Sequence, residues 1–145
     1  MPNWCENELT VSGKGIAVSA FLEAVKGEAC ELDFGKVIPE PECIREGRDG
    51  WYDWRNDHWG TKWNACDCVV IGDETGARGR KVTIGFDTAW APPTPVVEEI
   101  IRKYRMLTVT LRYWEGGMQF KGVLKGKGGE VVKREQGEYK GRRGG

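Results

Sequence analysis

Leu9 and Val11 alternate with polar neighbours through residues 6–13, and the run stops at Gly13-Lys14-Gly15. A period of two predicts a strand, and the glycines predict its end. The period then changes. Val18, Phe21, Leu22 and Val25 recur at three- and four-residue spacing before Gly27, which predicts a helix. Residues 31–38 read as extended, with Leu32 and Phe34 on one face, until Pro39 and Pro41 break any ladder. Residues 42–50 are polar and read as loop. Two β-type runs follow, residues 65–71 and 81–88, the second with Val82, Ile84 and Phe86 on its core face; a charged, glycine-bearing turn at 73–79 joins them. Thr94 as cap and Pro95 at the first helical position open a second helix. Val96, Val97, Ile100, Ile101 and Tyr104 lie on one side of it, and Glu98, Glu99, Arg102 and Lys103 on the other. Residues 107–114 alternate again: Leu107, Val109, Leu111 and Tyr113 face one way, and Thr108, Thr110, Arg112 and Trp114 the other. After the turn at 115–118, Met118 and Phe120 lead into a further strand, and residues 130–134 add one more.

Strand, helix, strand, strand, helix, strand is the order of a ferredoxin-like α+β sandwich: a split βαβ plan with an antiparallel sheet and two helices on one face. Residues 28–64 interrupt that order as a helical insertion, and a β-hairpin is appended after the last core strand. Residues 1–135 then form one domain, and residues 136–145 form a flexible basic tail.

The insertion carries the densest chemistry in the chain. Residues 51–64 hold four of the seven tryptophans and the only histidine. At about 100° per residue, Trp54, His58, Trp51, Arg55, Trp59 and Tyr52 share one side of a helix, and Asp53, Asn56 and Asp57 take the solvent side. Asp49 or Gly50 caps its start and Gly60 closes it in a left-handed conformation. Tryptophans in a chain of this size act first as core anchors. Arg55 and His58 fit a core less well, because buried polar groups require partners. A guanidinium beside indoles can also hold a planar or anionic ligand.

Charge narrows the classes of partner. Lys plus Arg balances Asp plus Glu at 22 each, so the whole molecule exerts no global attraction on nucleic acid or membrane. The balance is uneven along the chain: residues 125–145 carry seven basic against three acidic residues. Cys5, Cys30, Cys43, Cys66 and Cys68 are odd in number and irregular in spacing, which predicts free thiols in a reducing compartment. Their spacing suits neither an iron–sulfur cluster nor a regular zinc motif; the zinc set the residues offer is Cys66 and Cys68 with Cys43 and His58. No metal or cofactor is expected. The opening residues lack a signal-peptide pattern and no stretch approaches a membrane span, so a cytoplasmic protein without membrane contact is expected. Gly13-Lys14-Gly15 lacks the remainder of a phosphate loop and reads as a tight turn.

Several tryptophan-centred motifs occur in a fixed order: Met1-Pro2-Asn3-Trp4-Cys5-Glu6-Asn7, Trp59-Gly60-Thr61-Lys62-Trp63-Asn64, Phe86-Asp87-Thr88-Ala89-Trp90-Ala91-Pro92-Pro93, and Tyr113-Trp114-Glu115-Gly116-Gly117-Met118. Over about residues 1–123 the chain resembles the YubB ferredoxin-like family of phage and plasmid proteins. The resemblance implies a ferredoxin-like fold and carriage on mobile elements in a bacterial host; it transfers no catalytic residue, and the tail has no counterpart in it.

Three functions follow. The first is a non-catalytic accessory protein that binds a planar anionic, nucleotide-like ligand or a host protein, with counter-defence as one use. Its candidate site is Trp51, Trp54, Arg55, His58, Trp59, Trp63, Trp90, Arg112 and Trp114. The second is a module for single-stranded nucleic acid, using the sheet face around Arg112 and Trp114. The third and weakest is an enzyme with Cys5 or a carboxylate as nucleophile and His58 as base.

Overall fold

The computed structural model describes residues 3–45 and 49–138. β1 (Trp4–Gly13) sits inside a six-stranded sheet, between β3 (Gly79–Ala89) and β4 (Thr108–Glu115). β2 (Cys66–Gly76) lies outside β3, while β5 (Phe120–Lys127) and β6 (Glu130–Glu138) extend the sheet beyond β4. Every neighbouring pair is antiparallel. The fold is ferredoxin-like α+β.

Register divides the sheet into two faces. Leu9 stands opposite Ile84 on one side and Leu111 on the other, and Val11 opposite Val82 and Val109. All six are essentially inaccessible to solvent. α1 (Gly15–Val25) lowers Val18, Phe21 and Val25 onto this face, and α4 (Thr94–Lys103) lowers Val96, Val97, Ile100 and Ile101. Burying each such side chain stabilises the fold by roughly 1.5–3 kcal/mol. α4 approaches β5 so closely at Gly126 that any added Cβ would collide with Ile101. The other face is polar. Thr10 stands opposite Thr83 and Thr110, and the hydroxyls of Thr10 and Thr83 are hydrogen-bonded at 2.9 Å.

Between α1 and β2 the chain forms a 3-10 turn (Phe34–Lys36), a short α2 (Glu42–Arg45) and α3 (Trp51–His58). The extended run expected over residues 31–38 is thus a turn. The Asp33 carboxylate accepts from the Gly35 N–H at 2.8 Å, and the Asn64 side chain accepts from the Phe34 N–H at 2.9 Å; these local bonds replace a strand partner. Part of the expected loop at residues 42–50 is helical, as α2. Gly50 at φ 96° and Gly60 at φ 83° bracket α3 where glycines were expected to do so.

Three other boundaries differ. The charged segment 73–79 reads as a turn, but most of it is strand. Glu74 faces Lys81 and Thr75 faces Arg80 across the β2–β3 ladder, and Arg80 pairs with Asp73 at 2.7 Å. Thr94 is the first helical residue and Pro93 holds the cap position, without a side-chain cap. β6 reaches Glu138 by pairing Gln136 with Gly122 and Glu138 with Phe120, so residues 136–138 belong to the sheet. The remainder of the expected tail, 139–145, lies outside the described residues.

The expectation of five free thiols also needs correction. Cys30 and Cys68 are joined as a disulfide, with their Cα atoms 5.3 Å apart, which ties the end of α1's following loop to edge strand β2. Cys5, Cys43 and Cys66 are free. Spacing along the chain carries no sign of this pair, because the fold brings together residues 38 apart in sequence. Among the described residues no helix is long and apolar enough to cross a membrane.

Candidate functional site

α3 forms because Gly50 permits the left-handed entry and residues 51–58 contain neither proline nor glycine. The indole of Trp59, the residue that caps its end, is held firmly. Trp59 is buried, donates its indole N–H to the Ile38 carbonyl at 3.0 Å, and meets Phe34 and Trp54 edge to face. Phe34 in turn meets Phe86 of β3, so Trp59 belongs to the main core.

Arg55 is committed in the same way. Nε donates to Glu40 at 3.0 Å, Nη2 donates to the other oxygen of the same carboxylate at 3.4 Å, and Nη1 donates to the Lys62 carbonyl at 3.3 Å. Its guanidinium carbon lies 5.2 Å from the ring centroids of both Trp51 and Trp59. The side chain is 24% exposed and Glu40's is 12%. This arrangement ties Glu40 to α3 and to Lys62 and leaves little of the cation to a ligand. His58 is exposed, stacked on Trp54 at 4.5 Å, and its Nδ1 lies 2.8 Å from the Trp54 carbonyl.

The remaining predicted ligand residues lie elsewhere. Trp63 packs on Trp4 with ring centroids 5.9 Å apart, and the Lys62 ammonium lies 4.5 Å above the Trp63 ring. Trp90 follows the end of β3 and is 46% exposed. Arg112 and Trp114 lie two residues apart on the polar face of β4, as alternation predicts. Trp114 is only 2% exposed and donates its indole N–H to Glu6 at 2.6 Å, so it offers no ring to a base from that face. The nine candidates do not form one site.

What does converge on the polar face is charge of both signs: on β1 Glu8 stands opposite Arg112 and Glu6 opposite Trp114, and the cations gather on the β5 side. Arg112 stands opposite Val123, Trp114 opposite Lys121 and Thr110 opposite Lys125, so all of these side chains share a face with Lys127, two residues further on. Lys125 stands opposite Lys133 on β6. Lys133 pairs with Glu135 at 3.7 Å, whereas Arg112, Lys121, Lys125 and Lys127 have no ion-pair partner among the described residues. An open concavity of about 590 Å³ at β4, β5 and β6 is lined from both faces, by Arg112, Trp114, Lys121 and Glu135 on this one and by Tyr113 and Gln136 on the other. The lysines of β5 were overlooked from sequence, although their signal was present: Lys121, Lys125 and Lys127 keep the parity of Val123 along one strand.

Nucleophilic chemistry finds no support at Cys5. The thiol is fully buried, and burial pushes its pKa up to about 12, with the carboxylates of Glu115, Asp87 and Glu6 adding to the effect. A buried thiol that holds its proton through neutral pH is inert as a nucleophile. Burial likewise raises Cys66, helped by Asp67 and Asp87. Among the described residues no three potential ligands cluster to hold a metal ion.

Residues 58–143 match the family described as the ferredoxin-like domain in Api92-like protein. The match extends past residue 123, where the tryptophan-motif resemblance ends. Among solved structures, the crystal structure of protein api92 from Yersinia pseudotuberculosis is similar to this chain with a TM-score of 0.75 at 11% identity, covering 99% of this chain and 100% of that one. At that identity the likeness is one of fold. No curated protein matches the chain.

Proposed function

The chain belongs to the family with the ferredoxin-like domain of Api92-like proteins, and we propose that it is a non-catalytic module that binds single-stranded nucleic acid on the polar face of β4, β5 and β6. The observation behind this reading is the set Arg112, Lys121, Lys125 and Lys127, four cations on one sheet face with no ion-pair partner among the described residues. Side chains two apart on a strand are about 7 Å apart, on the scale of neighbouring phosphates along an extended nucleotide chain. The hydroxyls of Thr108 and Thr110 share that face and add hydrogen-bond donors.

A net charge of zero does not oppose this, since a local stripe of cations, rather than the global sum, releases counterions from a polyanion. With Trp114 buried, the grip on this face is electrostatic and tolerant of sequence. Placement on a phage or plasmid, implied by the resemblance to YubB-type proteins, suits a small accessory protein of this kind. A nucleotide-like ligand on α3 is the weaker account, because Arg55 would first have to leave Glu40.

Binding of a short fluorescent oligothymidylate, titrated across salt concentrations, tests the proposal. Four phosphate contacts predict a slope of log K against log salt of about −3, at about 0.7 per phosphate for single strands. Replacing all four cations with glutamine should remove most of that slope while leaving the melting temperature near that of the parent. A flat salt dependence, or undiminished affinity in the quadruple variant, would dismiss the sheet face as the binding surface.

A further inference from the structure

Trp90 occupies a backbone conformation that its side chain does not favour. Its φ is 70°, in the left-handed region, where a bulky residue is an outlier and glycine is at ease. The surrounding backbone is fixed by bonds that do not involve the indole. The Trp90 N–H donates to the Asn3 carbonyl at 2.8 Å, the Thr88 hydroxyl to the Ala91 carbonyl at 2.6 Å, and the Thr61 hydroxyl to the Ala89 carbonyl at 2.8 Å. Glycine at position 90 would keep all three without strain. Nor does burial offset the strain, because the residue is 46% exposed. Neither the turn nor the core therefore accounts for an indole here. Strain of this kind, held in place by its surroundings, is found at sites of recognition.

Resting on the nucleic-acid reading of the sheet face, we infer that Trp90 is a base-stacking station at the end of the phosphate track. Trp90 directly follows Ala89, which stands opposite Trp4, at the same end of the sheet as Lys121 and Trp114. β3 lies three strand spacings from β5, about 14 Å, which a short stretch of extended strand crosses. The phosphates follow Lys127, Lys125 and Lys121, the strand then crosses β1 and β3 beside Glu6 and Asp87 with no cation of the track to hold it, and an unpaired base meets the Trp90 ring. Bases in a duplex stack on one another and cannot reach an external indole, so this geometry selects single strands. The track alone would bind either form.

Trp90→Gly in the full chain separates recognition from structure. Its melting temperature should equal or exceed the parent's, because the substitution relieves the left-handed strain. Its affinity for oligothymidylate should fall between about five- and 150-fold, the range of one lost base–aromatic stack, with the salt slope retained. Its affinity for the same oligonucleotide annealed to its complement should not change. Photo-crosslinking of the parent to an oligonucleotide containing 5-bromouracil should map to Trp90. A drop of several degrees in melting temperature would make Trp90 structural and overturn the inference. Undiminished single-strand affinity in Trp90→Gly would overturn it too, while leaving the lysine track standing. Absence of binding by the parent protein would remove both.

Discussion

Arg55 and Arg112 look alike in the sequence, each within two residues of a tryptophan, yet the fold uses them in opposite ways. Arg55 gives three hydrogen bonds to Glu40 and the Lys62 carbonyl and lies against two indoles. Arg112 projects from the middle of β4 into solvent, in line with Lys121, Lys125 and Lys127, and spends no donor on a described carboxylate. A cation with internal partners organises its own chain; one without them remains available to another molecule. The tryptophans divide along the same line. Trp59 and Trp114 are buried and hydrogen-bonded through their indole N–H groups, whereas Trp90 is held open in a strained turn.

The most severe way to break this contrast is at Trp59. If the α3 side is structural, Trp59→Ala removes a buried ring packed on Phe34 and Trp54 and leaves the Ile38 carbonyl unpaired. A loss of about 3–5 kcal/mol in chemical denaturation is expected. A loss under about 1 kcal/mol would mean that the ring is not part of the core and would reopen α3 as a ligand surface.

Much of the fold was legible because period decides face. Leu9, Val11, Val82, Ile84, Val109 and Leu111 could be assigned to one side of the sheet from alternation alone, and register confirms each. The segment between Ala29 and Ala65 was less legible. There Asp33, Asn64 and Glu40 satisfy backbone and guanidinium groups across the loop, and such pairings depend on three-dimensional closure. Helical geometry put Arg55 with Trp51 and Trp59, as observed, but could not supply Glu40, fifteen residues earlier. For the same reason Arg112 could be put on the outer sheet face, while its freedom from a partner could not be read. The full length of β6, Glu130–Glu138, is not legible in the sequence, because the strand is exposed throughout and lacks an apolar rhythm.

Arg55 itself should give an intermediate effect. Arg55→Ala takes one partner from a largely buried pair and removes two cation–π contacts, and a loss of roughly 2–4 kcal/mol is expected. Glu40→Gln should lose less. Because the two groups touch, the double variant should show a coupling energy of at least about 1 kcal/mol. Additive losses would separate the residues energetically and leave Arg55 free to serve a ligand.

The smallest effect on stability, and the most informative, is expected at Arg112. Its side chain is exposed on the polar face, so Arg112→Ala should change stability by no more than about 0.5 kcal/mol. Binding should respond instead: the slope of log K against log salt for oligothymidylate should shrink by about 0.7, the share of a single phosphate contact. Lys125→Ala, one strand away on the same face, should shrink it by the same amount, because a sequence-tolerant electrostatic track treats its cations alike. Arg55→Ala, measured where that variant remains folded, should leave the slope unchanged. If instead Arg112→Ala abolished binding outright while Lys125→Ala did nothing, the site would be a discrete anion pocket around one guanidinium. If the slope followed Arg55 rather than Arg112, the division between a structural and an available arginine would be reversed.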